Sequence, residues 1–177
     1  MEQKKQKTGL TKSKRITYTA ILAAVYVVLS VLIKIPVAGH ITLDMGYIAL
    51  MVAIVCLGPV PAMEVGAIGA ALESLMTAQR GISPGWILMN AIIGLLCGYA
   101  LQKVKSDSGK QFILAAIFSV FGAALLGIAV KTAVDCLLYS LPLAPKIVTG
   151  LIAWVLDSLV MLLCGLPLSM TLKKRNL

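Results

Sequence analysis

The sequence predicts an all-α, polytopic membrane protein: one bundle of six transmembrane helices with both termini on the cytoplasmic side. Three observations carry this. Of 177 residues, 59% are hydrophobic and 13% charged, and mean hydropathy is +0.96. That is too little polar material for a soluble domain of this size to cover itself. The apolar runs are long enough for helices that cross a bilayer, which takes about 20 residues. The third observation is where the basic residues fall. Lys4, Lys5, Lys7, Lys12, Lys14 and Arg15 precede the first run, Lys103, Lys105 and Lys110 share one middle loop, and Lys173, Lys174 and Arg175 follow the last run. These twelve of the 16 basic residues mark the cytoplasmic side by the positive-inside rule. The net charge of +9 therefore reports topology and contact with anionic lipid. A nucleic-acid surface would interleave basic residues with aromatics on a folded face, and that pattern is missing.

Residues 1–15 read as a basic cytoplasmic lead, 16–172 as the membrane domain and 173–177 as a basic cytoplasmic tail. The first span covers about Ile16–Ile35, ended by Pro36, with Ala20, Ala23 and Ala24 forming a small-residue patch near its cytoplasmic end. No small-residue cleavage site follows it, so it is expected to be retained. Val37–Thr42, with the only histidine, His40, is an external connection. The second span, about Leu43–Leu57, starts at Asp44, an acid suited to the positive end of a helix dipole and read as a structural cap.

Gly58–Pro61 turns tightly into the third span, about Ala62–Thr77; proline costs little in a first helical turn, where its missing N–H has no partner anyway. Ala62, Gly66, Ala70 and Ser74 then recur every fourth residue, a stripe that lets a neighbouring backbone come close. Glu73 points within about 20° of Gly66 on the same face, whereas Glu64 lies almost opposite and is expected to reach the interface. Ser83 and Pro84 read as N-cap and first residue of a fourth span, about Pro84–Gln102. Along it Trp86, Asn90, Gly94 and Gly98 repeat at four-residue spacing. The fifth span runs about Gln111–Tyr139 and carries Lys131 and Asp135; the sixth, about Lys146–Leu172, carries Asp157 with Trp154 beside it.

This topology brings ionisable groups from several helices to one level. Glu73, Asn90, Lys131 and Asp135 fall in the outer parts of their spans and Asp157 near mid-depth, with Trp86 and Trp154 as aromatics able to cover a flat ring. An intramembrane acid is costly without a partner or ligand, so the set is a solute-pocket hypothesis, with His40 at its mouth. The plain alternative pairs Lys131 with Asp135 as i,i+4 neighbours, which leaves Glu73 and Asp157 unexplained.

Catalytic constellations are missing: no GxxxxGK[ST] phosphate loop, no HExxH and no GxSxG. One histidine supplies no zinc site, and Cys56, Cys97, Cys136 and Cys164 lie in apolar runs without metal-ligand spacing. No cofactor is called. Two membrane aspartates, Asp135 and Asp157, leave an intramembrane aspartyl-type protease as a rival, and a ligand-free assembly subunit as another.

The basic lead, the Ala-rich first span (AILAAVYVVL), the GP turn and the GxxGAxxE pattern of the third span resemble the substrate-binding S components of energy-coupling factor (ECF) transporters. Size, span number and inside termini agree, so the resemblance covers nearly the whole chain. It implies a vitamin-uptake subunit in the bacterial plasma membrane that hydrolyses no ATP itself. It also implies a transmembrane coupling subunit and two ATPase subunits as partners, with docking through an AxxxA motif at which Ala20 and Ala24 stand. Glu73 matches a position where relatives carry an acid near the site. The excess of carboxylates over lysine in the predicted pocket favours a neutral or cationic heteroaromatic solute, thiamin-, pyridoxine- or deazaguanine-like, while an anion such as pantothenate would depend on Lys131.

Overall fold

The computed structural model describes residues 12–38, 41–77, 82–104 and 109–174. Helix α1 (Lys12–Leu32) leads into a short antiparallel hairpin, β1 (Lys34–Ala38) and β2 (Ile41–Asp44). Helices α2 (Gly46–Cys56), α3 (Pro59–Thr77), α4 (Pro84–Gln102) and α5 (Gly109–Tyr139) follow. The chain ends in one long rod: α6 (Leu143–Val160), a π-helical segment (Met161–Gly165) and α7 (Leu166–Lys174).

The hairpin is a small departure from the all-α architecture, which otherwise holds. The first helix stops at Leu32 rather than Ile35, and Pro36 sits inside β1, where the pairing shifts register between Pro36 and Ala38. Proline supplies no ladder donor and is tolerated in such an edge or irregular position. The β-branched residues Ile35, Val37, Ile41 and Thr42 flanking a glycine were the available signal for it.

The second helix is only 11 residues long, about 16 Å at 1.5 Å per residue. It starts late because Asp44 ends the hairpin, and its carboxylate then receives the Gly46 N–H at 2.7 Å. Asp44 therefore does cap, from two residues ahead of the helix. Nine of the 11 residues of α2 are buried, so it is apolar all round because protein surrounds it on all sides. It contacts α1, α3, α4 and the π segment. Gly58, at φ +91°, makes the left-handed turn that the GP junction demands.

The stripes on α3 and α4 face each other. A Cβ on Gly66 would lie 2.5 Å from the Asn90 carbonyl oxygen, and one on Gly94 would lie 2.5 Å from that of Ala62. Backbone thus meets backbone along this seam. Ser83 stands at the N-cap of α4 as expected, but its side chain makes no capping bond; its carbonyl accepts from the N–H groups of Trp86 and Ile87.

Four helical segments, Lys12–Leu32, Pro84–Gln102, Gly109–Tyr139 and Leu143–Lys174, are long and apolar enough to cross a membrane. Large apolar side chains such as Val28, Leu72, Phe118, Leu137 and Leu163 are exposed around the bundle, the face that hydrocarbon would cover.

Candidate solute-binding site

A cavity of about 800 Å³ opens between β2, α3, α4, α5 and α6. Each element places its polar group by a local rule. Glu73 lies on the small-residue face of α3, which must look inward to meet α4, and it is 6% exposed. The Trp86 indole N–H, one turn into α4, donates to Glu73 Oε2 at 3.0 Å. Lys131 and Asp135 are one turn apart on α5, so both reach the same side. Asp157 enters from α6, 5% exposed.

The expected Lys131–Asp135 pair forms, at 3.4 Å, and Lys146 joins it: its ammonium lies 3.1 Å from the same oxygen, Asp135 Oδ2. The other oxygen, Asp135 Oδ1, is buried without a hydrogen bond among the described residues. The Lys131 ammonium also stands 5.8 Å from the centre of the Trp86 ring, within cation–π range. Trp86 meets Tyr47 edge to face at 6.3 Å. The fully buried Tyr47 hydroxyl faces the Asp157 carboxylate as a donor, at longer than ordinary hydrogen-bond length.

Glu73, Trp86, Lys131, Asp135 and Asp157 therefore line one cavity. Two expected members do not. Asn90 is buried directly behind it: its amide donates to the Trp86 carbonyl at 3.0 Å, and its oxygen accepts from Tyr26 at 3.2 Å. Asn90 is thus a support for α4. Trp154 turns toward α5, donating its indole N–H to the Phe121 carbonyl at 2.9 Å and packing edge to face on that ring. His40 lies outside the described residues.

Two lining residues were read differently from the sequence. Asp44 faces the cavity besides capping α2, and it accepts from Ser30 at 2.6 Å. Lys146, the first residue of the expected sixth span, lies a turn inside the helix, which begins at Leu143, and it reaches Asp135. The spacing of Lys146 and Asp135, 11 residues apart across a proline-containing turn, carries no helical signal, whereas a start at Leu143 would have supplied one.

The chain matches the family described as "ECF-type riboflavin transporter, S component" over residues 10–174. It is 29% identical over 160 residues to a UPF0397 protein of Lactobacillus gasseri, covering 86% of this chain and 84% of that one. A UPF0397 protein of Lactobacillus acidophilus is 30% identical over 166 residues, with 89% and 87% covered. Among solved structures, an S component for biotin from an ECF-type ABC transporter superposes with a TM-score of 0.68 at 17% identity, covering 93% of this chain and 95% of that one. The folic acid-bound FolT structure gives 0.63 at 21% identity, covering 89% and 97%. These likenesses establish a shared fold. With the family match running nearly end to end, the chain belongs to the ECF-type riboflavin transporter S-component family, whose members are membrane-embedded substrate-binding subunits.

Proposed function

We propose that this protein captures a water-soluble, vitamin-like heteroaromatic solute outside a bacterial plasma membrane, for ATP-driven uptake by partner subunits. The observation that carries the reading is the 800 Å³ cavity in which Glu73, Trp86, Lys131, Asp135 and Asp157 meet. Ionisable side chains from four elements converge there inside an apolar bundle, at a cost that a polar ligand would offset. The chain carries no ATPase motif, so the energy comes from a transmembrane coupling subunit and two ATPase subunits. Six crossings with both termini inside remain the topology that the distribution of basic residues favours.

Ala20 and Ala24 are exposed on α1, one turn apart, with room for another helix to approach closely. Docking of the coupling subunit there is part of the proposal. The pairing of Asp135 with two lysines rather than with a second carboxylate speaks against the protease alternative.

The test is uptake of labelled riboflavin, biotin, folate and thiamin by cells lacking other S components but carrying the energising subunits. Expression of this chain should confer uptake of at least one such solute. The Ala20→Leu/Ala24→Leu variant should keep binding in the purified protein and lose uptake. Normal uptake by that variant would remove the docking claim, and neither uptake nor binding of any vitamin by the intact chain would leave an assembly subunit without a ligand.

A further inference from the structure

The cavity is not uniform in charge. At its α5 side two ammonium groups, Lys131 and Lys146, share a single carboxylate oxygen of Asp135, so this cluster carries one positive charge in excess. At its α6 side stands Asp157, buried and without an ion pair among the described residues. Asp44 and Glu73 also line the cavity, and each has further interactions of its own.

Aromatic residues stand alongside these groups. Asp157 lies beside Tyr47, Tyr47 packs on Trp86 at 6.3 Å, and Trp86 lies 5.8 Å from the Lys131 ammonium. Tyr47 and Trp86 thus line the way between a cationic pole at Lys131 and Lys146 and an acidic one at Asp157, which Lys131 also reaches electrostatically. Three buried polar atoms, Asp135 Oδ1, the Tyr47 hydroxyl and Ser158 Oγ, make no hydrogen bond of ordinary length among the described residues. Buried polar atoms without partners are rare in folded proteins, and each calls for an explanation such as a ligand.

Resting on the reading of this cavity as the solute site, we infer that the solute is amphoteric. It carries an anionic group that seats between Lys131 and Lys146 and a cationic or proton-donating nitrogen that meets Asp157, with an aromatic ring between them alongside Trp86. The carboxylate excess expected from sequence would select a neutral or cationic solute. Adding Lys146 to the site changes that. Charge-assisted hydrogen bonds at both ends make such a molecule bind more tightly than one charged at a single end.

The sequence supplies a reporter, because Trp86 and Trp154 are its only tryptophans. Trp154→Phe, outside the cavity, leaves Trp86 as the sole fluorophore. Purified protein with this substitution is titrated with three probes of one ring and one size: para-(aminomethyl)benzoate, para-methylbenzylamine and para-methylbenzoate. Quenching or enhancement of Trp86 emission reads binding. The doubly charged probe should bind at least about tenfold more tightly than either singly charged one. Adding Lys131→Met and Lys146→Met should erase its advantage over the amine, and adding Asp157→Asn its advantage over the acid. Equal or tighter binding of the amine would make the site simply acidic, and equal or tighter binding of the acid simply basic. Either result overturns the two-pole reading, as does failure of all three to bind at 20 mM. None of these outcomes depends on partner subunits, so the uptake experiment tests the transport role separately.

Discussion

Across α3 and α4 the bundle is closed by backbone against backbone; across α5 and α6 it is held apart by side chains. The first seam stacks Gly66 on Asn90 and Gly94 on Ala62, with no room for a methyl group. In the second, the nearest atom to a Cβ on Gly150 would be the Ile128 side chain at 3.0 Å. That seam borders the large cavity on one side and an apolar crevice of about 310 Å³ on the other. Its polar links are Lys146 on Asp135, beside the turn where Ser140 adopts φ +51°, and the Trp154 indole on the Phe121 carbonyl. The two seams use the same helical periodicity to opposite ends. Small residues at four-residue spacing exclude everything between helices, and long charged residues at the same spacing leave volume that a polar solute can enter. A fixed wall carrying Glu73 and Trp86 thus faces an open one carrying Lys131, Asp135 and Asp157.

One substitution made in each seam tests that contrast most directly, and the closed seam should show the largest effect of all. Gly66→Ala forces a methyl group against the Asn90 carbonyl, which no rotamer change can move aside. The expected loss is about 3 kcal/mol, the upper part of the range for overpacking, read as a clear fall in melting temperature in detergent. An unchanged melting temperature would mean that the seam can open.

Glu73→Gln comes next. It keeps volume and an acceptor for the Trp86 indole but removes the charge. If the carboxylate contacts the solute, affinity for the transported vitamin should fall by about 1.5–3 kcal/mol, roughly 10- to 150-fold. Calorimetric binding at wild-type strength with a lowered melting point would make Glu73 purely structural.

Asp135→Asn removes the carboxylate that holds both lysines. Leaving a sealed charge unpaired costs about 3–5 kcal/mol. Here the two lysine side chains retain 28% and 23% exposure and can turn to water in the cavity, so a loss of about 1–3 kcal/mol is expected. A loss as large as that of a sealed pair would show that the cavity is closed to water.

The smallest effect belongs to Gly150→Ala in the open seam. Ile128 can shift by a few tenths of an ångström, and alanine gains up to about 1 kcal/mol over glycine in a helix. Stability should stay within about 0.5 kcal/mol of wild type. A drop equal to that of Gly66→Ala would erase the distinction between the seams.

What the sequence determined by itself is whatever depends on neighbours along the chain. Hydropathy set the membrane class, and proline and serine set the start of α4 at Pro84. The four-residue stripe on α3 set the inward aim of Glu73, because a helix fixes the relative direction of its own side chains wherever it packs. Only the tertiary structure decided how whole helices are rotated and splayed against one another. That rotation sent Trp154 to Phe121 while Trp86 kept the cavity, and it put Asn90 behind the wall. It brought in Lys146 and Asp44, whose separation along the chain from the groups they join hides the meeting. The hairpin belongs to the same class, since its ladder pairs residues across a turn rather than within a helix. A cavity is the space that several elements leave between them, and no single segment encodes its shape.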